Sequence, residues 1–212
     1  MPLRAAAICG LLAPVTFVCG FVLGGLAQPE AYSSVDDDLS DLGALTASSP
    51  WLYNQVGANL TGLLLVVLAL GLWSSLGSGL VARIGSCALL VAGGGLFLDG
   101  LFRLDCRGID AGCDNVSWHS SAHRIESGFT AAALFVAPLV LAFAFRRIRE
   151  WRDLSLPTLL VAPAVVVTSV AVGSWGQGAG NLAATVVWLL WIALVSFRLL
   201  RISEGSRVRT AA

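Results

Sequence analysis

Six long apolar runs divide this chain, and its polar residues gather between them. They extend from about Ala5 to Ala27, Val56 to Leu76, Leu80 to Phe102, Gly128 to Phe145, Pro157 to Trp175 and Leu182 to Leu200. Each is close to the roughly 20 residues that a helix needs to cross the hydrocarbon core of a bilayer. The apolar positions are continuous rather than alternating, which argues against a membrane β-barrel. The pattern predicts an all-α membrane protein, a bundle of six transmembrane helices forming one domain over residues 1–212. Only Gly77, Ser78 and Gly79 separate the second and third runs, so a tight helical hairpin is expected there. Arg4 gives the first run the charged start of a secretory signal. That run is longer than a signal core of about 7–15 residues, and no clean small-x-small site follows, so it is expected to remain as a span.

Arginine placement gives the expected orientation, because cytoplasmic loops collect basic residues. Arg4, Arg83, Arg146, Arg147, Arg149, Arg152, Arg198, Arg201, Arg207 and Arg209 alternate onto one side. The other side holds Arg103, Arg107 and Arg124. The loop from Gln28 to Gln55 has no basic residue but carries Glu30, Asp36, Asp37, Asp38 and Asp41. Both termini are therefore expected in the cytoplasm of a cell-membrane protein, with two long loops outside. Trp51, Tyr53, Trp73, Trp118, Trp151 and Trp175 fall near the predicted interfaces, where amphipathic rings concentrate.

Composition agrees with the bilayer as solvent. Hydrophobic residues make up 57 % of the chain and charged residues 12 %, with a mean hydropathy of +0.82. A soluble domain carries roughly a quarter charged residues. The net charge is zero, so no global field points to nucleic acid, and none is expected as a partner. Small residues provide packing faces between helices. Gly20-x-x-x-Gly24 and the run Gly93-Gly94-Gly95 are the candidates.

Candidate chemistry lies at the outer ends of the spans. Cys9, Cys19 and Cys87 fall inside spans, whereas Cys106 and Cys113 share the second outer loop. An oxidising exterior favours a disulfide between these two, and Cys-x6-Cys is not a usual zinc spacing. Ionisable groups in a membrane are expensive unless paired, so each is a functional candidate. Asp99, Asp105, Asn59, Asn181, His119, His123 and Glu126 all fall at the depth of the outer face. His119, His123 and Glu126 stand at i, i+4 and i+7, on one face of a helix capped by Ser117 or Asp114. Two histidines one turn apart suit zinc, with Glu126, Asp105 or Asp99 completing the ligand set. Interfacial side chains bonded to water, headgroups or aspartates, or a proton-transfer group, remain alternatives. In the first loop, Tyr32-Ser33 leads into Asp36-Asp37-Asp38-Leu39-Ser40-Asp41-Leu42-Gly43. Serine and acids favour a helix start, and Val35, Leu39 and Leu42 form an apolar stripe. A short amphipathic surface helix ending at Gly43 is expected, its Asp38 and Asp41 either solvated or facing the histidines.

Tyr32-Ser33 with Leu39-Ser40-Asp41-Leu42-Gly43-Ala44 resembles the first-loop motif of a bacterial and archaeal membrane family, domain of unknown function 998. Gly95 to Asp105 is similar to the glycine-rich third span of that family, which ends in Phe-Pro-x-Asp. His119 or His123, then Gly176-Gln177-Gly178 leading to Trp188, Trp191 and Arg198, fit the remainder. Arg103 stands where proline is expected, and Asn181 near where a basic residue is expected. The resemblance implies six spans and an outward-facing polar cluster, and brings no established activity.

Three functions follow as expectations. One is an enzyme at the outer face acting on a lipid or lipid-linked substrate, a metal-dependent hydrolase. It would use Ser40, Asp41, Asp99 and Asp105 beside a metal on His119, His123 and Glu126. The second is a binding protein or accessory subunit of a membrane complex. The third is a small transporter, which no mid-span charge, broken helix pair or internal repeat supports. An enzyme needs its polar groups within reach of one cavity; a scaffold does not.

Overall fold

The computed structural model describes residues 2–28 and 32–210 and, for residues 206–210, the backbone alone. Glu30, Ala212 and the side chains of Arg207 and Arg209 lie outside the described residues. Six helices are long and apolar enough to cross a membrane. They are α1 (Leu3–Leu26), α2 (Leu52–Ser75), α3 (Leu80–Asp99), α4 (Trp118–Arg147), α5 (Arg149–Gly173) and α6 (Gln177–Thr210). The chain is an all-helical, multi-pass membrane protein.

Helix α4 departs from its expected start. It begins ten residues before Gly128 because Ser117 caps it, its Oγ accepting from Ser120 N at 3.2 Å. The polar turns that follow turn His123 and Glu126 into the bundle, where both are buried. Helix α2 also starts early, with wide π-type turns over Leu52–Leu60 that bury Tyr53, Asn54, Gly57 and Ala58. The loop between α2 and α3 is the expected short turn, with Gly77 at φ +78°. The expected amphipathic surface helix is instead one 3-10 turn over Leu39–Gly43. Leu42 is fully buried, Val35 is exposed, and Asn54 Nδ2 donates to Gly43 O at 2.9 Å, so the segment tucks into the bundle rather than lying on it.

The helices surround a core of Leu68, Leu72, Leu89, Leu141, Ile192 and Val195, all fully or almost fully buried. Van der Waals fit, not hydrophobicity, drives association in lipid, so close backbone approach matters most. A Cβ on Gly20 of α1 would strike the backbone of Gly57 in α2, and one on Gly24 would touch Tyr53 and Leu42. Around the bundle α1 packs on α2 and α6, α3 on α2 and α4, and α5 on α6. Contact between α4 and α5 is closest around their junction, where Trp151 stacks on Phe145 with centroids 4.7 Å apart. Trp151 is 1 % exposed, so it belongs to the core and not to an interfacial belt; Tyr53 is likewise buried. Trp51, Trp73, Trp118 and Trp175 are exposed, as a belt requires.

The first two long loops form a single cap at the end of the bundle where α3 finishes and α4 begins. Leu45 N donates to Leu104 O at 2.9 Å, and Gly108 N to Asp41 Oδ1 at 3.1 Å. Thr46 Oγ1 donates to Asp110. Cys106 and Cys113 form a disulfide with Cα atoms 6.2 Å apart, while Cys9, Cys19 and Cys87 are free.

Candidate functional site

Asp99 closes α3, and the antiparallel α4 brings its second turn to the same level. His123 Nδ1 lies 2.9 Å from the carbonyl oxygen of Phe102 and 3.3 Å from Asp99 Oδ1. A carbonyl only accepts, so this hydrogen bond requires a proton on Nδ1. Glu126 follows almost one turn later on α4. Ser127 Oγ donates to its Oε1 at 2.9 Å, and Thr130 Oγ1 to its Oε2 at 3.3 Å.

One ligand atom from each of Asp99, His123 and Glu126 lies within 4.8 Å of the others. Points so spaced lie within about 2.8 Å of a common centre, 4.8 Å divided by √3. The side chains of Asp99 and His123 are 12 % and 9 % exposed, and Asp99 Oδ2 is buried without a hydrogen-bond partner. Among the described residues, arginine pairs with Asp110 and Asp153 and not with either of these carboxylates. Two carboxylates this close, in little water, require a proton or a cation between them.

Beside this cluster lies a cavity of about 570 Å³. Asp38, Ser40, Asp99, His123 and Asn181 line its polar part. Phe17, Leu65, Leu96, Leu134, Val165 and Trp188 line the rest. Its wall includes Phe135 of α4 and Val166 and Val170 of α5, which are exposed on the bundle surface, so the cavity reaches the lateral face where these helices diverge.

Residues 11–199 match the family model described as Protein of unknown function (DUF998). The chain belongs to that family. No curated protein and no solved structure matches it.

Not every expected residue of this DUF998 protein joins the cluster. His119 is exposed and stacks on Trp118, with ring centroids 3.6 Å apart. It sits one turn above His123, where α3 has already ended and Phe102 fills the space, with ring centroids 6.3 Å apart. The expected pairing of His119 with His123 is therefore not formed, and Asp99 stands with His123 and Glu126 instead. Asp105 accepts from Ser117 N at 2.9 Å and so braces the start of α4; the Ser117 hydroxyl and N–H together lower its pKa. Asp41 is 5 % exposed and ties the two loops through Gly108. Burial raises its pKa and the Gly108 N–H opposes the shift. Ser40 lines the cavity. Asp38 shares the cavity lining with His123 and is not simply solvated: it accepts from Asn181 Nδ2 at 2.7 Å and from Gln177 Nε2 at 3.0 Å. That bond set straps the first loop to the start of α6. Sequence reading missed this clasp and the role of Thr130; the i+4 spacing of Thr130 from Glu126 was the available signal.

Proposed function

We propose that this DUF998 protein is a divalent-metal-dependent hydrolase acting on a lipid or lipid-linked substrate at the extracytoplasmic face. The observation that carries the reading is the convergence of Asp99, His123 and Glu126 beside a cavity with a polar mouth and an apolar body. Two carboxylates and an imidazole suit zinc or a similar first-row ion. Metal-bound histidines usually give their other ring N–H to a carbonyl or carboxylate, and Phe102 O lies 2.9 Å from His123 Nδ1 to accept one. Asp99 Oδ2, buried and unpartnered, is the oxygen left for the ion. The metal would lower the pKa of bound water to about 7. An ion held by Asp99, His123 and Glu126 would thus supply an activated water for attack on an ester or amide carbonyl, with water adding across the bond to give an acid and an alcohol or amine. The apolar walls around Phe17, Leu65 and Trp188 would hold hydrocarbon, and the polar mouth at Asp38, Ser40 and Asn181 a headgroup.

The outer placement rests on arginine: Arg4, Arg83, Arg146, Arg147, Arg149 and Arg152 all lie at the helix ends remote from Asp99, as a cytoplasmic side requires. Reporter fusions at Ala47 and Asp110 should read outside and a fusion at Trp151 inside; the reverse pattern would move the site to the cytoplasm. For the activity, the purified protein in lipid nanodiscs is loaded with zinc and given ester- and amide-linked lipids of varied headgroup. Release of free fatty acid that stops on chelation and in Asp99→Asn is expected. Full metal occupancy with no product from any of these lipids would instead support the accessory-subunit reading.

A further inference from the structure

The run Gly93-Gly94-Gly95 does not serve as one packing face. A Cβ on Gly93 would come within 2.9 Å of Gly62 O and Val66 N on α2, and one on Gly95 would strike the Thr130 side chain on α4. One on Gly94 would meet nothing within 4 Å. Helix packing thus accounts for the outer two glycines but not for Gly94, which instead leaves open a groove of about 700 Å³ between α3 and α4. Val91, Phe97, Leu98, Ile125 and Phe129 supply its apolar walls, and its acidic lining residue is Glu126. Ile125 and Phe129 are 62 % and 67 % exposed, so the groove faces outward from the bundle.

We infer that this groove holds one hydrocarbon chain of a bilayer lipid, with the linkage end of that chain at Glu126. The walls belong to membrane-spanning helices, so the medium filling the recess is hydrocarbon, not water. Its volume falls in the range of ligand sites, roughly 300–1,000 Å³. From Glu126 to Thr130 the α4 wall rises about 6 Å at 1.5 Å per residue, long enough for the first few methylenes of an acyl chain. Continuity with the cluster sets the register. Glu126 lines the groove while its cluster partners Asp99 and His123 line the cavity, and Thr130 lines both. The polar cluster is therefore the partition between two apolar recesses. A lipid seated with a chain in the groove presents its ester or amide region to that partition directly from the bilayer, without leaving the membrane. As a substrate subsite this rests on the proposed hydrolase; as a chain-binding site it stands alone.

The test uses the full chain in nanodiscs of phosphatidylcholine containing a small fraction of phosphatidylcholine with a diazirine in its acyl chain. After photolysis, labelled peptides are quantified by mass spectrometry against the exposed α1 surface of Val15, Val18 and Val22, which lines neither the groove nor the cavity. Residues 91–98 and 122–129 should label above that reference. Gly94→Phe, which fills the groove from an open position, should bring them down to it. Gly128→Phe, equally free of contacts but outside the groove, should not. Should Gly94→Phe fail to insert, Ile125→Trp fills the groove from the opposite wall and takes its place. Labelling at the α1 level in the native protein, or unchanged by whichever filling variant inserts, would overturn the inference. Glu126→Gln separates the two readings: it should lose metal but keep the chain label. Lost chain selectivity with metal retained would refute the groove alone.

Discussion

Glu126→Gln removes one negative charge from the cluster while keeping the side chain's shape and one acceptor oxygen, which takes the hydrogen bond of either Ser127 or Thr130 but not both. Wild-type ligand atoms lie within about 2.8 Å of a common centre, from the 4.8 Å spacing. Zinc bonds to oxygen and nitrogen are about 2.0–2.2 Å, so an ion needs the three groups to contract by only about 0.7 Å each. A partner that merely orients a ligand is worth 10–100-fold in metal affinity. Losing a charged ligand from a set of three should cost at least the upper part of that range, about 100-fold or 2.8 kcal/mol. The assay is a zinc titration of detergent-purified protein against a chromophoric chelator, with elemental analysis of the bound fraction. Wild type should hold one zinc per chain, Glu126→Gln should lose it at chelator concentrations that wild type withstands, and His119→Ala should behave as wild type. Equal retention by wild type and Glu126→Gln, or loss in His119→Ala, would refute the assignment of ligands.

The second-loop ion pair gives a pH signature. The Arg107 guanidinium, 2.7 Å from Asp110, together with Thr46 holds the Asp110 carboxyl down to about 2. A depressed carboxylate stabilises the fold above its ordinary value near 3.9 and loses that contribution as pH falls toward about 2. Asp110→Asn should therefore open the loop to protease at neutral pH, with the difference from wild type shrinking below about pH 4. A thiol count on unfolded, non-reduced protein should find Cys9, Cys19 and Cys87, the three free cysteines; a count of five would remove the Cys106–Cys113 bridge. Gly20→Ala places a methyl against the Gly57 backbone, an overpacking that costs about 1–3 kcal/mol. It should lower the midpoint of denaturant-induced unfolding in mixed micelles, whereas Gly94→Ala should leave it unchanged.

Much of this protein is written locally. Crossing a bilayer is a property of roughly 20 consecutive residues against a uniform solvent, so the six apolar runs and the short turn through Gly77 could be read without knowing any contact. Family membership, the Cys106–Cys113 pairing and the Ser117 cap were legible for the same reason: each is a short pattern. Boundaries slipped where polarity pointed inward. The turns from His119 to Ser127 look like a loop to a hydropathy reading, but they are helix, with His123 and Glu126 turned toward α3 rather than lipid.

The site itself was only half legible. Helical spacing placed His119, His123 and Glu126 on one face of α4, but a face is not a depth. Only the position of the last turn of α3 decides which of them has a partner. Asp99 ends that helix level with His123, so His123 and Glu126 are enclosed, while His119, one turn higher, passes the end of α3 and stacks on Trp118. Asp41 and Asp105, read as chemistry from their charge, each accept from a backbone N–H, Asp41 across the two loops and Asp105 within the second. Burial in lipid is set by a residue and its neighbours in sequence. Pairing inside the bundle is set by how far each helix extends past the next, and that is decided by the assembled helices.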